Sequence, residues 1–330
     1  MYRFAEIQGY DEVKNHFQSA LRMNKVSHAY IIEGEVGMGK KLIASTFAKT
    51  LQCETHGEDA CDTCQSCRLF DTGNHPDVIH VRATKKTGIG VDDIREQING
   101  DVHIKPYVYA YKIYIIHDAD KMTIQAQNAM LKTIEEPPNY VRFILLATHS
   151  HPFLPTVLSR CVMVKLKPIG SNLVEAYLMT SMQVPDYQAK LYSAFSRGNI
   201  GRALTLKDSE SFKEMRQDMI GIMNAIANDG KVRALEQVAL FEKYSEQKSE
   251  FLDLCLTWLR DLMMLKSLGE DASIIHGDQM NQLLKQAPHM SYNKMNTLMN
   301  GMEKIIRYDR LHINYSLSVE VMIIKAMNAH

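Results

Sequence analysis

Four groups of residues have the types and spacing to do chemistry. The stretch Gly34-Glu35-Val36-Gly37-Met38-Gly39-Lys40-Lys41 fits the phosphate-loop pattern G-x-x-x-x-G-K-[ST] up to its last position. Glycines there let backbone N–H groups face the β- and γ-phosphates, and Lys40 would neutralise phosphate charge. Lys41 stands where a hydroxyl should ligate Mg²⁺, and an ammonium cannot ligate a cation. The second group is His117-Asp118, closing the apolar run Ile113–Ile116. A working site carries Asp-Glu at that place, the Asp holding the metal's water shell and the Glu orienting the attacking water. Imidazole is a poor partner for Mg²⁺, which prefers oxygen, and Asp118 is one methylene too short to place that water. These departures predict a site without hydrolysis. Binding of ATP or ADP, and a loop kept only as scaffold, are both compatible with them.

The third group is Cys53-x7-Cys61-x2-Cys64-x2-Cys67. Four thiolates make a tetrahedral set suited to structural zinc, and a closed Cys₄ site leaves no coordination position for catalysis. Redox cysteines are the alternative. His75, eight residues past Cys67, is a conceivable substitute ligand, although a loop role beside Pro76-Asp77 suits it better. Cys161 and Cys255 lie in apolar runs and are expected to be buried thiols. The fourth group is Leu158-Ser159-Arg160-Cys161, in which Arg160 closes the unit begun by KIYIIHDADKM and continued by QAQNAMLKTIEEPP and VRFILLATHS. The plain alternative for Arg160 is an exposed arginine at a strand end.

The elements that must position these groups alternate. Short apolar runs at Ala29–Glu33, Val78–Arg82, Lys112–Ile116, Phe143–Ala147 and Val162–Leu166 read as strands. Helical patterns fall between them, at Leu42–Leu51 and Val91–Ile98. Strands alternating with helices imply a parallel sheet covered on both faces, with ligands bound where strands end. Lys167-Pro168 and Gly170-Ser171-Asn172 break the pattern. Beyond them come helical segments at Leu173–Met182, from Pro185-Asp186, and from Gly198. From about Ser209 every periodic segment is helical, with stripes at Phe212, Met215, Met219, Met223 and Ile226, at Phe251, Cys255, Trp258, Leu262 and Leu265, and at Met295, Leu298, Met302 and Ile305. A last helix is expected over Leu311–Met327. The domain expectation is therefore 1–167, an α/β nucleotide-binding-like domain with its metal module at about 53–67; 168–208, a small helical domain; and 209–330, an all-helical domain.

The chain has 330 residues, long for one core. Lys+Arg and Asp+Glu are both 38, so no global field draws it to nucleic acid or membrane, and a DNA contact would need a local patch. No apolar run approaches the roughly 18 residues of a membrane span, which leads to the expectation of a cytoplasmic protein. Four of six cysteines crowd together, which in a cytosolic chain favours metal over disulfides.

In these residues the chain resembles the clamp-loader branch of the AAA+ family, the subunits that serve bacterial DNA polymerase III. The likeness runs through FAEIQGYDEVKNHF, SHAYIIEG, GMGK, the four cysteines, GNHPDV, DDIREQI, ADKM, NAMLKTIEEPP and LSRC, covering most of 1–167; Asn314, Leu317 and Glu320 look like the family's collar-helix pattern. The resemblance implies an AAA+ sheet domain, lid and collar, in a C-shaped subunit of a ring-like pentamer. Its companions would be tau/gamma motor subunits and a delta subunit, and its task would be loading a sliding clamp onto primed DNA within the polymerase (nucleotidyltransferase) holoenzyme. It also implies that Ser159-Arg160-Cys161 matches the family's Ser-Arg-Cys motif, whose arginine reaches ATP bound by an adjacent motor subunit. Members degenerate in the magnesium residues, as this chain is, act as a comparatively rigid stator. Family motors place a sensing arginine after a glycine; here Arg202 comes one residue past Gly201, which puts γ-phosphate sensing in doubt. Thr148 and His149 occupy the other sensor region. Two competing functions are a self-sufficient clamp-loader ATPase, against which Lys41 and His117 count, and a zinc-dependent DNA-binding protein, against which the neutral charge counts.

Overall fold

The computed structural model describes residues 2–269, 272–307 and 314–329. Its helices are α1 (Asp11–Arg22), α2 (Lys40–Leu51), α3 (Gln65–Asp71), α4 (Val91–Ile94), α5 (Ile124–Glu135), α6 (Pro155–Leu158), α7 (Ser171–Met182), α8 (Asp186–Ser196), α9 (Ile200–Asp208), α10 (Glu210–Asn228), α11 (Lys231–Glu236), α12 (Val238–Lys243), α13 (Lys248–Leu268), α14 (Met280–Gln286), α15 (Tyr292–Arg307) and α16 (Tyr315–Met327). Five strands, β1 (Ala29–Glu33), β2 (Val78–Val81), β3 (Lys112–Ile116), β4 (Val141–Ala147) and β5 (Val162–Lys165), form one parallel sheet in the order β2-β3-β4-β1-β5. The expected run Val91–Ile98 is helical but changes pitch, with α4 passing into a π turn over Arg95–Asn99.

The chain divides into two compact units: Met1–Tyr177 with Ser196–Ala203, and Leu178–Phe195 with Leu204–His330. In the first, side chains alternate across the sheet because strand neighbours point to opposite faces. Ile31, Tyr114, Phe143 and Leu145 pack on one face with Met130 and Ile134 of α5. Tyr30, Ile32, Ile113, Ile115 and Ile144 pack on the other with Phe17 of α1 and Ile43 and Phe47 of α2. Both faces are thus buried, which explains why these strands read as continuous apolar runs.

The second unit is helical among the described residues. Phe212, Met215, Met219, Met223 and Ile226 are buried on α10, Phe251, Cys255, Trp258, Leu262 and Leu265 on α13, and Met295, Leu298 and Met302 on α15, whereas Ile305 is half-buried. Two of its buried polar side chains are held by hydrogen bonds: Trp258 Nε1 donates to Gln286 Oε1 at 2.9 Å, and Asp261 accepts the N–H groups of Ile275 and His276 at 2.8 Å each. The last helix begins at Tyr315, with Asn314 capping it by accepting the Leu317 N–H; the expected start at Leu311 lies outside the described residues. No helix among the described residues is long and apolar enough to cross a membrane.

Candidate functional site

The phosphate loop joins β1 to α2. Gly37 and Gly39 take φ of 89° and 84°, a left-handed backbone that favours glycine, and Gly39 is the residue from which α2 starts. Gly34 is buried, its N–H donating to Ala147 O at 3.1 Å. Lys40 is turned onto the loop itself, donating to Gly34 O at 2.5 Å and Glu35 O at 3.0 Å. Burial pushes its pKa down, opposed by Asp120, Asp118 and Glu35. Lys41 is exposed. The turn before α9 closes on the loop: Asn199 Nδ2 donates to Val36 O at 2.8 Å, and the Gly201 N–H to Gly37 O at 3.1 Å. Gly201 has to be glycine for this, since a Cβ would stand 2.5 Å from Gly37 Cα. Arg202 lies next to the contact, its N–H capped by Asn199 Oδ1 at 3.0 Å.

β3 delivers His117 beside this loop. His117 Nε2 lies 3.1 Å from His80 Nδ1, the two imidazoles sharing one proton position. Burial, then His80, Arg82 and the positive charge of Lys41, push the His117 pKa down to about 4. A neutral imidazole pair therefore stands where a magnesium site needs oxygen. Asp118 takes a left-handed φ of 48°, and its side chain points to solvent beside Lys121 at 3.6 Å. The 3₁₀ turn that follows brings in an acid that the sequence reading missed, Asp120. Its Oδ2 accepts the Thr148 N–H at 3.1 Å, tying the end of β3 to the end of β4, while Oδ1 is buried without a hydrogen-bond partner. A second carboxylate two residues past Asp118 was the available signal. His149 is exposed, its ring tilted against that of His151 with centroids 5.6 Å apart.

Arg160 is not beside this loop. It follows α6 and precedes β5, whose Val162 pairs with Tyr30 near the start of β1. The arginine thus sits at the edge where β1 begins, and the phosphate loop at the edge where β1 ends. It is partly exposed, with Nη2 2.8 Å from Glu135 Oε1 and Nη1 donating to Thr156 O at 2.9 Å and Ser159 Oγ at 3.1 Å.

The four cysteine Sγ atoms of Cys53, Cys61, Cys64 and Cys67 lie within 4.8 Å of one another, close to the roughly 3.8 Å sulfur separations of a tetrahedral Cys₄ site. Backbone N–H groups of Cys61, Cys64 and Cys67 donate to Cys53, Cys61 and Cys64 sulfur at 3.4 Å each, which favours thiolates. Hydrogen bonds from Thr63 and then the Cys64 backbone pull the Cys61 pKa down to about 5, whereas burial pushes Cys67 up. The donor set fits a metal ion. The module is fastened on several sides. Asp59 accepts the Phe4 and Ala5 N–H groups at 2.9 and 3.1 Å, Glu58 grips Arg22 at 2.6 Å, and fully buried Lys49 of α2 bridges Asp62 at 2.5 Å and Asp71 at 2.8 Å. His75 is occupied otherwise, with Nε2 3.1 Å from Ser66 Oγ and Nδ1 accepting the Asp77 N–H at 3.3 Å. Cys255 is buried; Cys161 is half-buried, and burial pushes its pKa up to about 12.

Residues 9–170 match the family described as DNA polymerase III, delta subunit. The chain is 30% identical over 295 residues to DNA polymerase III subunit tau/gamma of Haemophilus influenzae, covering 86% of this chain and 42% of that protein. It is 33% identical over 241 residues to subunit tau of Bacillus subtilis, covering 71% and 42%. To subunit delta' of Bacillus subtilis it is 27% identical over 305 residues, covering 91% and 90%. The chain spans less than half the length of the first two. The five-stranded parallel sheet in the order β2-β3-β4-β1-β5, with its phosphate loop after β1, thus belongs to a chain whose residues 9–170 match the DNA polymerase III delta subunit family and whose relatives include delta' and tau/gamma subunits.

Proposed function

We propose that the chain is a delta'-type stator: a cytoplasmic subunit that does not hydrolyse ATP itself, works beside tau/gamma motors and a delta subunit, and helps place a sliding clamp on primed DNA. Arg160 completes a neighbouring motor's ATP site in trans. The observation that carries this is its position at the opposite end of the strands from the chain's own phosphate loop, which keeps it out of that loop and leaves it partly exposed. On reaching that neighbour, the guanidinium leaves Glu135 and neutralises charge growing on the γ-phosphoryl group, an effect worth about 10³–10⁵ in rate in other phosphate-loop systems. The His80–His117 pair and Lys41 support an idle site, because neither offers Mg²⁺ an oxygen. Any ATP or ADP at Gly34–Lys41 would rest on backbone N–H groups and Lys40. The four cysteines hold structural Zn²⁺, which fixes their loop and supplies no chemistry. The sheet domain (1–167) carries both sites, with 168–208 as lid and 209–330 as collar.

Arg160→Ala should leave the chain folded and incorporated, yet sharply lower DNA-stimulated ATP turnover by the assembled complex. Unchanged turnover in a fully assembled mutant complex refutes the reading.

A second reading, a self-sufficient ATPase motor, is favoured by Asp120, a buried carboxylate oxygen without a partner near Lys40. Steady ATP hydrolysis by the chain alone, lost on Lys40→Ala, would establish it in place of the first.

A further inference from the structure

The ends of β2 and β3 frame a basic pocket apart from the phosphate loop. Its volume of about 430 Å³ falls within the roughly 300–1,000 Å³ of small-molecule sites. Among the described residues, Arg82, Lys85, Lys86 and Lys121 bring four cations to its lining. They face one lining carboxylate, Asp118, which already sits 3.6 Å from Lys121. His117 lines the pocket too, and none of Gly34–Lys41 does. The whole chain is neutral, with 38 basic and 38 acidic residues, so this positive field is local.

The backbone that carries these cations is pinned. Arg82 N–H donates to Gln97 Oε1 at 3.1 Å, and Arg82 O accepts from Gln97 Nε2 at 2.9 Å. Asp93, whose charge feels Lys85, is committed to the backbone, accepting the Thr84 and Gly90 N–H groups at 3.1 and 2.8 Å. Gly88 takes φ of 114° and lies so close to the Lys121 turn that a Cβ would stand 2.3 Å from Lys121 O. Ile89 completes the join, its N–H donating to Lys121 O at 3.2 Å and its O accepting the Thr123 N–H at 3.1 Å. Like charges held together on a fixed backbone repel one another, and an anion between them relieves that repulsion.

We propose that this pocket binds a free polyphosphate chain, either inorganic or the phosphate tail of a nucleotide. A single phosphate is too small to meet cations from both the Arg82–Lys86 segment and the Lys121 turn, whereas a chain of phosphates spans them. Arg82 can hold one phosphate through two N–H groups, and the lysines act as point charges along the rest. The concave shape separates this ligand from a nucleic-acid strand, whose phosphates track an open groove. The inference concerns a second ligand and rests neither on Arg160 nor on the stator reading.

Titration calorimetry on the full chain, without added Mg²⁺, compares inorganic tripolyphosphate with orthophosphate. Tripolyphosphate should bind at least about tenfold more tightly. Lys85→Ala/Lys86→Ala and, separately, Arg82→Ala should each weaken it about tenfold with Tm unchanged, and added salt should weaken it as well. Lys40→Ala, which disables the phosphate loop, should leave this binding in place. In the Lys40→Ala chain, tighter binding of ATP than of tripolyphosphate assigns the pocket to a nucleotide, and equal or weaker binding assigns it to inorganic polyphosphate; both uphold the proposal. No binding, equal affinity for orthophosphate, unchanged affinity in both pocket variants, or loss of binding in Lys40→Ala overturns it. So does an oligothymidylate that binds more tightly than tripolyphosphate and loses that binding in the same pocket variants.

Discussion

Replacing Lys49 by Met tests whether the cysteine module is clamped to α2 by one buried ammonium. Lys49 is fully buried, with Nζ 2.5 Å from Asp62 Oδ1 and 2.8 Å from both oxygens of Asp71. Burial opposes its charge, but hydrogen bonds to Asp62 and Asp71 outweigh that and raise its pKa. Each charge-assisted hydrogen bond is worth about 1.5–3 kcal/mol, and breaking a buried pair from one side costs roughly 3–5 kcal/mol. Asp62 and Asp71 are 20% and 35% exposed, so water recovers part of that, and methionine refills the aliphatic stem. The expected loss is then about 2–3 kcal/mol, or roughly 4–12 °C in Tm for a unit of this size. Thermal unfolding followed by circular dichroism and calorimetry reads it directly. A double-mutant cycle with Asp62→Asn should show coupling above about 0.5 kcal/mol. A Tm change under about 2 °C, or strict additivity, would refute the clamp.

Chain purified without added metal should contain equimolar zinc by elemental analysis, and a strong chelator should speed amide exchange at Phe4 and Ala5, whose N–H groups bind Asp59; no zinc and unchanged exchange would remove the assignment. Gly201→Ala should cost about 1–3 kcal/mol, because its Cβ would collide with the Gly37 backbone, and should deprotect the Gly201 amide; a silent substitution would mean that the two turns do not meet in solution. His117 binds protons less readily folded than unfolded, so its contribution is complete above about pH 6.5 and is lost as pH falls toward about 4. Burial depresses His75, His80 and His276 in the same direction, which steepens the decline. Tm measured across that window should fall with acid, less steeply in His117→Gln, and a flat profile would contradict the burial argument.

Much of the sheet unit was legible because its strands are buried on both faces, so Lys112–Ile116 and Ala29–Glu33 read as uninterrupted apolar runs with the bounds the structure shows. The cysteines were legible from spacing alone. Arg160 was legible as a position but not as a place: the sequence reads as a strand end, whereas the short helix α6 sets it before β5, at the opposite end of the strands from the phosphate loop. Asp120 was hidden because the left-handed Asp118 turns the chain, and local sequence does not announce which of two nearby acids faces inward. The Asn199–Val36 and Gly201–Gly37 contacts were hidden for a different reason, as they join residues about 160 positions apart.

The pairing of Arg160 with Glu135 makes any reach into another protomer a swap of one anion for another. A half-exposed ion pair holds its partners by roughly 0–1 kcal/mol, so a triphosphate fixed at close range can take the guanidinium away, while a stray monovalent anion in solution gains little by trying. Under the proposed trans role, Glu135 would act as a discriminator, reserving the cation for a densely charged acceptor in a set position.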